Sequence, residues 1–169
     1  MILLGIDPGS VKTGYGVLRV EGREVSVLDY GVVRPGATLR FEERLLVIHD
    51  GLETVLAAHH PDVAVVEGTF HGRQAKNFQS TLKLAQARGV ALLAAARAGV
   101  EIVEVAPADV KKSITGHGRA DKAQVQEMVK ILLKLKGRIP EDAADALALA
   151  LTQSYRRRPL VIARRGGAT

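Results

Sequence analysis

The sequence predicts an α/β fold with a single mixed sheet of five strands and helices on both faces. Three strand-like segments open the chain before any helical pattern appears. Helical patterns then alternate with two further short apolar strands, which is the arrangement of a sheet covered by helices. A length of 169 residues is typical of one domain with a sizeable core.

The first three strands are expected to be antiparallel. Their predicted ranges are residues 2–7, 14–20 and 24–33. The segment from Ile2 to Ile6 contains no polar side chain, which is typical of a central strand buried on both faces. Gly22 and Arg23 form a short connection between the second and third strands, which indicates a hairpin.

The rest of the chain alternates helices with two more strands. Phe41, Leu45 and Ile48 recur at helical spacing, so an amphipathic helix is expected to lie on the sheet. Pro107 is placed to open a later short helix. The predicted helices are residues 39–59, 76–98, 107–114, 121–135 and 139–155, and the predicted strands are 63–66 and 101–105.

Charge is distributed unevenly along the chain. The net charge is +6, and the isoelectric point is about 9.8. Residues 1–70 carry 6 basic and 10 acidic side chains, whereas residues 71–138 carry 13 basic and 5 acidic ones. Acids therefore collect with the strands and bases with the helices. This distribution favours a polyanionic partner bound around a cation site.

Other features of the composition exclude whole classes of protein. The chain has no cysteine, which excludes a disulfide framework and a thiolate metal site. No segment is long and apolar enough to span a bilayer, and the N terminus enters a strand without a basic and apolar leader. We therefore expect a cytoplasmic protein, with no membrane partner. Its single domain is expected at residues 1–155, followed by a basic, mobile tail at 156–169.

Four carboxylates occupy positions from which they can meet at one end of the sheet. Asp7 and Glu67 each end an apolar strand, where a carboxylate is costly unless a cation lies beside it. Asp142 and Asp145 project from one face of the last helix, with no Lys or Arg in the two turns that follow. A bound cation would offset the cost of the strand-ending carboxylates and the repulsion between the two helical ones. Taken alone, Asp142 is also explained as a helix-start acid and Asp145 as a solvated one.

The chemistry of these side chains indicates a particular kind of ion. Carboxylate oxygens are ligands that Mg²⁺ or Mn²⁺ prefers. Pairs of such ions promote the attack of water on phosphodiesters. Because the four acids can converge, the sequence predicts a divalent-metal site at the ends of the strands.

Five blocks of the sequence form a distinctive pattern. They are GIDPGSVKTGYGV at the N terminus, Glu67 with Phe70 after an apolar strand, LKLAQARGVALLAAA, DVKKSITGHGRADKAQVQ, and DAADALALALT. Together they resemble the RuvC family of Holliday-junction resolvases, collinearly from residue 2 to about residue 153. The resemblance implies an RNase H-like fold, a homodimer, and paired symmetric nicks in a four-way DNA junction during recombination and repair. It also implies partnership with a branch-migration complex of the RuvA and RuvB type.

The same resemblance assigns the four acids. Asp7, Glu67, Asp142 and Asp145 match the family's catalytic carboxylates. We expect Asp7 to be shared by two Mg²⁺ ions per subunit, with Glu67 on one ion and the helical pair on the other. Mn²⁺ is a possible substitute. One ion would activate water and the other would stabilise the leaving 3′ oxygen.

Basic and aromatic residues are expected to contact DNA. By the resemblance, Phe70 stacks on bases near the crossover, and Lys111 and Lys122 lie near the active site, with Lys122 counted as catalytic. Each lysine alone is also explained by a solvated surface, and Phe70 by a core position. The expected DNA contacts are Phe70, Arg73, Lys76, Lys111, Lys112, His117, Arg119 and Lys122. The basic loop at 71–76 and the basic tail depart from the family pattern.

The glycines near Asp7 and in the long Ala-rich helix receive roles of their own. Gly9, Gly14 and Gly16 are expected to provide clearance for a DNA backbone beside Asp7. The helix around Gly89 is the expected dimer interface, because small residues allow close packing.

Three other functions use the same residues. The segment DPGSVKTG is also how an actin-like nucleotide-binding ATPase holds phosphate, although that class needs a second related domain for which we see no room. An RNase H relative that acts on RNA shares the fold, but Phe70 and the block from Lys111 to Lys122 argue against it. A junction-binding module without chemistry is disfavoured by the four intact acids.

Overall fold

A computed structural model describes residues 1–68 and 78–157. The strands are β1 (Ile2–Asp7), β2 (Thr13–Glu21), β3 (Glu24–Val33), β4 (Val63–Glu67) and β5 (Glu101–Val105). The helices are α1 (Phe41–His59), α2 (Phe78–Arg97), α3 (Pro107–Thr115), α4 (Lys122–Leu132) and α5 (Glu141–Arg156). The predicted α/β fold with five strands is confirmed.

The five strands form one mixed sheet in the order β3-β2-β1-β4-β5. The β1–β2 and β2–β3 pairs are antiparallel, as predicted, whereas β4 runs parallel to β1 and β5 runs parallel to β4. Because β1 and β4 are parallel neighbours, their carboxyl ends lie side by side. Asp7 ends β1 and Glu67 ends β4, so the topology brings these two acids to the same edge of the sheet.

Helices cover both faces of the sheet. Leu4 and Ile6 of β1 point into a core shared with α1 and α2. Leu3 points to the opposite face, into a core shared with α3, α4 and α5. The alternation follows from the period of two residues in a strand, and it explains why β1 is apolar throughout.

Helix α5 lies directly against β1 and β2 because three glycines leave it space. A Cβ atom at Gly5 would lie 1.8 Å from the carbonyl oxygen of Ala146, and one at Gly14 would lie 1.9 Å from that of Asp142. A Cβ atom at Gly16 would meet the side chain of Leu147 at 2.6 Å. The expectation that Gly14 and Gly16 provide clearance for DNA is therefore wrong, because α5 fills that space. Their absent side chains instead let α5 bring its acids to the end of β1.

Gly9, which was also expected to provide clearance for DNA, has a local role. A Cβ atom at Gly9 would lie 2.3 Å from the carbonyl oxygen of Lys12, within the turn between β1 and β2. The Thr13 hydroxyl donates a 3.0 Å hydrogen bond to the carbonyl oxygen of Gly9 and closes the same turn. Gly9 therefore shapes the turn that follows Asp7.

Helix α4 ends three residues before its predicted boundary. Lys134 adopts a left-handed backbone conformation with a φ of 53°. Its N–H bonds to the carbonyl of Ile131 at 3.2 Å, and the N–H of Leu135 bonds to that of Lys130 at 2.9 Å. This pair of bonds is a Schellman motif, which terminates a helix and satisfies its last carbonyls. A lysine stands where glycine is usual, which is why the sequence did not indicate the end.

The last helix continues to Arg156. Arg156 pairs with Asp109 of α3 at 2.5 Å, and Arg157 pairs with Glu101 of β5. These two residues of the predicted tail therefore lie against the domain. Residues 158–169, the rest of the predicted tail, lie outside the described residues. None of the described helices is long and apolar enough to cross a membrane.

Candidate active site

An open cleft of about 350 Å³ lies at the carboxyl ends of β1 and β4, under α3, α4 and α5. Its charged lining consists of Asp7, Glu67, Asp145, Lys111 and Lys122. Apolar side chains from α3, α4 and α5 form its walls, among them Val110, Val125 and Leu149. We call this feature the acidic cleft. It brings together three of the four predicted acids and both of the lysines predicted near the active site.

Asp7 is an acid of the cleft with a strongly raised pKa. Burial, with smaller contributions from the negative charges of Asp145, Glu67 and Asp142, raises the pKa of Asp7 from 3.8 to about 7, against the opposing effect of Lys122. Asp142 thus acts on Asp7 although it does not line the cleft. This raised pKa means that the site favours either a proton on the Asp7 carboxyl or a cation beside it.

Asp145 is held on both of its oxygens by helix α4. Lys122 Nζ lies 2.7 Å from Oδ2, and the amide of Gln126 donates a 3.1 Å hydrogen bond to Oδ1. The same lysine contacts Glu141 at 3.0 Å. The cation that the helical acids lack on their own helix is therefore supplied by α4. Gln126 and Glu141 were missed by the sequence analysis, because only the tertiary structure shows that α4 meets α5 here.

Lys122 remains a cation throughout the working pH range. Burial alone would lower its pKa, but hydrogen bonds to Asp145 and Glu141, and their charges, outweigh this and raise it. The hydrogen bond and charge of Lys122 in turn lower the pKa of Glu141. More than half of the Lys122 side chain, 56%, is exposed, so it is available to a ligand entering the cleft.

The start of α4 explains why Lys122 and Gln126 act together. Asp121 caps the helix by accepting a 2.8 Å bond from the N–H of Gln124, and the side chain of Gln124 accepts a 3.0 Å bond from the N–H of Asp121. This capping box fixes Lys122 as the first helical residue. Gln126 lies one turn later on the same face. A lysine at this end opposes the helix dipole, so its acidic partners stabilise it there.

Glu67 is positioned through its backbone by an arginine of α2. Arg88 donates bonds of 3.4 and 3.3 Å to the carbonyl oxygen of Glu67 and pairs with Glu104 of β5 at 2.8 Å. Only 14% of the Arg88 side chain is exposed. The N–H of Gly68 continues the β4–β5 ladder with a 2.8 Å bond to Val105. Arg88 and Glu104, which the sequence analysis did not single out, therefore fix the end of β4.

The other predicted DNA contacts that the structure describes do not line the acidic cleft. Lys112, His117 and Arg119 are exposed on α3 and the loop after it, outside the lining of the acidic cleft. The Thr115 hydroxyl shares its hydrogen between the carbonyl oxygens of Lys111 and His117, each 2.9 Å away, which fixes the start of that loop. Phe70, Arg73 and Lys76 lie outside the described residues.

The donor set of the acidic cleft fits a hard divalent cation. Its acids are carboxylates from three different elements, the charges of Asp145 and Glu67 raise the pKa of Asp7, and carboxylate oxygens are the ligands that Mg²⁺ and Mn²⁺ prefer. Elsewhere in the described part of the chain, His49, Asp50 and Glu53 of α1 place three potential ligand atoms within 4.8 Å of one another. That group is largely exposed and lies outside the cleft lining, so we assign it no role.

Comparison with known proteins identifies the family. The family model for crossover junction endodeoxyribonuclease RuvC matches residues 3–153. The chain belongs to the RuvC family. A RuvC relative from Ruminiclostridium cellulolyticum is 47% identical over 152 residues, which cover 89% of this chain and 90% of the relative. The RuvC family is a family of nucleases, so this chain is a nuclease.

Solved RuvC structures share the fold over nearly the whole chain. Thermus thermophilus RuvC matches with a TM-score of 0.81 and 38% identity, covering 93% of this chain and 96% of that one. T. thermophilus RuvC in complex with Holliday junction substrate matches with a TM-score of 0.84 and 37% identity, covering 94% of this chain and 95% of that one. The fold is therefore the RNase H-like fold of the RuvC family, as the resemblance implied.

Proposed function

We propose that this chain is a structure-selective endodeoxyribonuclease that resolves four-way DNA junctions in recombination and repair by paired symmetric nicks. Membership in the RuvC family supports the reaction, and a family member solved with Holliday junction substrate supports the substrate. The observation that carries the proposal is the acidic cleft, in which Asp7, Glu67 and Asp145 meet Lys111 and Lys122.

The four acids are the proposed metal ligands. Asp7, Glu67, Asp142 and Asp145 would hold two Mg²⁺ ions per subunit, with Mn²⁺ as a possible substitute. When bound, such ions activate water for attack on the phosphodiester and stabilise the leaving 3′ oxygen. The raised pKa of Asp7 supports this assignment, because ionisation of that carboxyl needs positive charge nearby.

The two lysines of the cleft act on the phosphate. Lys122 is charged and more than half exposed, so its ammonium group can contact a non-bridging oxygen of the scissile phosphate and stabilise charge that develops there. Lys111 is partly buried in the same cleft and adds a second positive charge. Gln126 holds Asp145 in one orientation while Lys122 turns toward the substrate.

A homodimer is proposed because two strands must be cut at equivalent points, which requires a two-fold arrangement of sites. Helix α2 is the proposed interface. Its described residues 78–86 are all exposed, and Phe78 is 70% and Leu82 42% exposed. Leu93 of the same helix is 54% exposed. Clustered apolar side chains of this size are typical of a surface that a partner covers. In sedimentation experiments, wild type should be a dimer and Leu82→Glu should be a monomer. A wild type that is monomeric even with DNA bound would contradict the proposed dimer.

Further partners and contacts follow from family membership. We propose contact with a branch-migration complex of the RuvA and RuvB type and a cytoplasmic location. Phe70, Arg73, Lys76, Lys112, His117 and Arg119 remain proposed DNA contacts. Residues 1–155 are proposed as the nuclease domain and 156–169 as a basic tail, with Arg156 and Arg157 held on the domain by ion pairs.

One assay tests the proposed reaction. An end-labelled mobile four-way junction is incubated with the protein and Mg²⁺ or Mn²⁺, and the products are mapped for paired nicks in opposite strands. Asp7→Asn should abolish cleavage while junction binding persists. A structured RNA and ATP serve as competing substrates. An active Asp7→Asn protein, or faster cleavage of the RNA than of the junction, would overturn the proposal.

A further inference from the structure

The segment between α4 and α5 carries three cations that the acidic cleft does not use. Lys134, Lys136 and Arg138 are all exposed, and we call them the basic strip. Between them the chain is anchored inward, because Leu133 is only 8% exposed and Leu135 packs against the core beneath α5. Apolar and basic residues thus alternate, and the anchored apolar ones present the cations to solvent.

The backbone of this segment is fixed at two turns. Lys134 occupies the left-handed position of the Schellman motif that ends α4, with a φ of 53°. Gly137 turns the chain again with a φ of 77°. A fixed backbone reduces the conformational entropy that the segment loses when a ligand binds. The basic strip is therefore better suited to binding than three lysines on a loose loop.

The basic strip leads toward the acidic cleft. Helices α4 and α5 both begin there, since Lys122 and Glu141, their first residues, are in contact at 3.0 Å. Helix α4 has 11 residues and extends about 16 Å from that point. The connecting segment must cover this distance on its way back. Lys134 lies at the far end, and Arg138 comes three residues before Glu141.

No acid among the described residues pairs with the cations of the basic strip. Residues 130–138 contain four cations and no acid. Lys130 pairs with Glu127 at 3.1 Å, whereas Lys134, Lys136 and Arg138 form no ion pair within residues 1–68 and 78–157. Like charges held close together on a fixed backbone repel, and a polyanion relieves that repulsion.

We propose that the basic strip binds the phosphate backbone of the DNA arm that enters the acidic cleft. This inference rests on the proposed function, and it adds a contact surface on the α4–α5 segment to the residues around the cleft. DNA is favoured over other polyanions because the strip extends from the cleft in which the phosphodiester is cut. Its contacts are to phosphate, so they add affinity for any sequence.

The test compares two triple variants for junction binding over a range of salt concentrations. The first is Lys134→Ala/Lys136→Ala/Arg138→Ala. The second removes the same charge from the opposite end of the sheet, with Arg19→Ala/Arg23→Ala/Arg97→Ala, all of them exposed. Binding is measured by fluorescence anisotropy with Ca²⁺ in place of Mg²⁺, so that the junction stays intact.

The basic-strip variant should bind less tightly and with a shallower salt dependence. Each phosphate contact contributes a slope of about 0.9 in log affinity against log salt, so three contacts per subunit account for a factor of about 40 between ~50 and ~200 mM salt. The control variant should keep most of the wild-type slope. The charge-retaining variant Lys134→Arg/Lys136→Arg/Arg138→Lys should keep it as well, which separates charge from folding.

Two results would overturn the inference while leaving the proposed function intact. One is a wild-type slope in the basic-strip variant, which would assign the strip to another polyanion such as an acidic protein surface. The other is an equal loss in both triple variants, which would indicate a general effect of net charge. Failure of the wild-type protein to bind the junction would instead overturn the proposed function, and the strip with it.

Discussion

Lys122 Nζ lies 2.7 Å from Oδ2 of Asp145, and this ion pair joins the first residue of α4 to the second turn of α5. The pair places a positive charge beside acids whose negative charges raise the pKa of Asp7. It also connects the lysine proposed to contact phosphate with a carboxylate proposed to bind metal. The electrostatic balance of the acidic cleft therefore depends on how α4 meets α5.

Removal of this lysine should reduce cleavage far more than stability. Lys122→Ala is expected to lower kcat by about 10²–10³-fold, because a charge that stabilises the transition state is lost. The side chain is 56% exposed, so the loss in unfolding free energy should stay below about 1 kcal/mol. Single-turnover cleavage and thermal melting measure the two effects. Lys130→Ala, on the same helix and outside the cleft, is the matched control; an equal loss in both variants would contradict the assignment.

Gln126 should affect the chemistry through Asp145. Gln126→Ala removes the 3.1 Å bond to Oδ1 and should lower kcat by about tenfold, with little change in junction affinity. Gln126→Glu adds a negative charge beside Asp145 and should raise the pH needed for cleavage, because the acids of the cleft then hold protons more strongly. Glu127→Gln, at the next residue, controls for a surface change. Identical pH profiles for wild type and Gln126→Glu would exclude a positioning role.

The raised pKa of Asp7 predicts that metal-free stability falls as pH rises. The pKa rises from 3.8 to about 7, so the folded state binds more protons than the unfolded state between these values. The stability that the protonated carboxyl provides is present in acid and lost as pH rises through about 7, by up to about 4 kcal/mol. Asp7→Asn should remove this dependence and be the more stable protein at pH ~8 without metal.

Chemical denaturation at a series of pH values in EDTA checks this prediction. Addition of Mg²⁺ at pH ~8 should stabilise wild type, because binding to the folded state alone shifts the unfolding equilibrium. It should stabilise Asp7→Asn much less. Asp50→Asn, at an exposed position of α1, is the control and should behave as wild type. A wild-type curve that does not fall between pH ~4 and ~8 would contradict the prediction.

The sequence predicted the strands and the four acids because each leaves a local signal. A short apolar run that ends in a carboxylate, as at Asp7 and Glu67, is visible without knowledge of any partner. The bonds of Gln126 to Asp145 depend on how two helices pack, and no local pattern encodes them. Gly14 was misassigned for the same reason, because its packing partner lies 128 residues away.

Arg88 should link the stability of α2 to the position of Glu67. Arg88→Met removes the bonds to the Glu67 carbonyl and the pair with Glu104, which should destabilise the protein by about 1–3 kcal/mol. It should also weaken Mg²⁺ activation of cleavage, because the end of β4 is no longer held. Arg88→Lys keeps the charge without the forked geometry and should recover only part of each effect. Arg97→Ala, at the end of the same helix, is the control; a normal Mg²⁺ profile in Arg88→Met would limit Arg88 to folding.

Gly14 should tolerate no side chain, because α5 lies against its backbone. A Cβ atom there would lie 1.9 Å from the carbonyl oxygen of Asp142, and a backbone atom cannot rotate out of the way. Gly14→Ala is therefore expected to cost about 3 kcal/mol or more and to displace the first turn of α5, with loss of cleavage. Gly36→Ala, where the nearest atom of Leu39 is 3.5 Å away, should change stability by less than about 1 kcal/mol. A stable Gly14→Ala protein with normal cleavage would mean that α5 does not lie this close, and that the glycine serves the DNA after all.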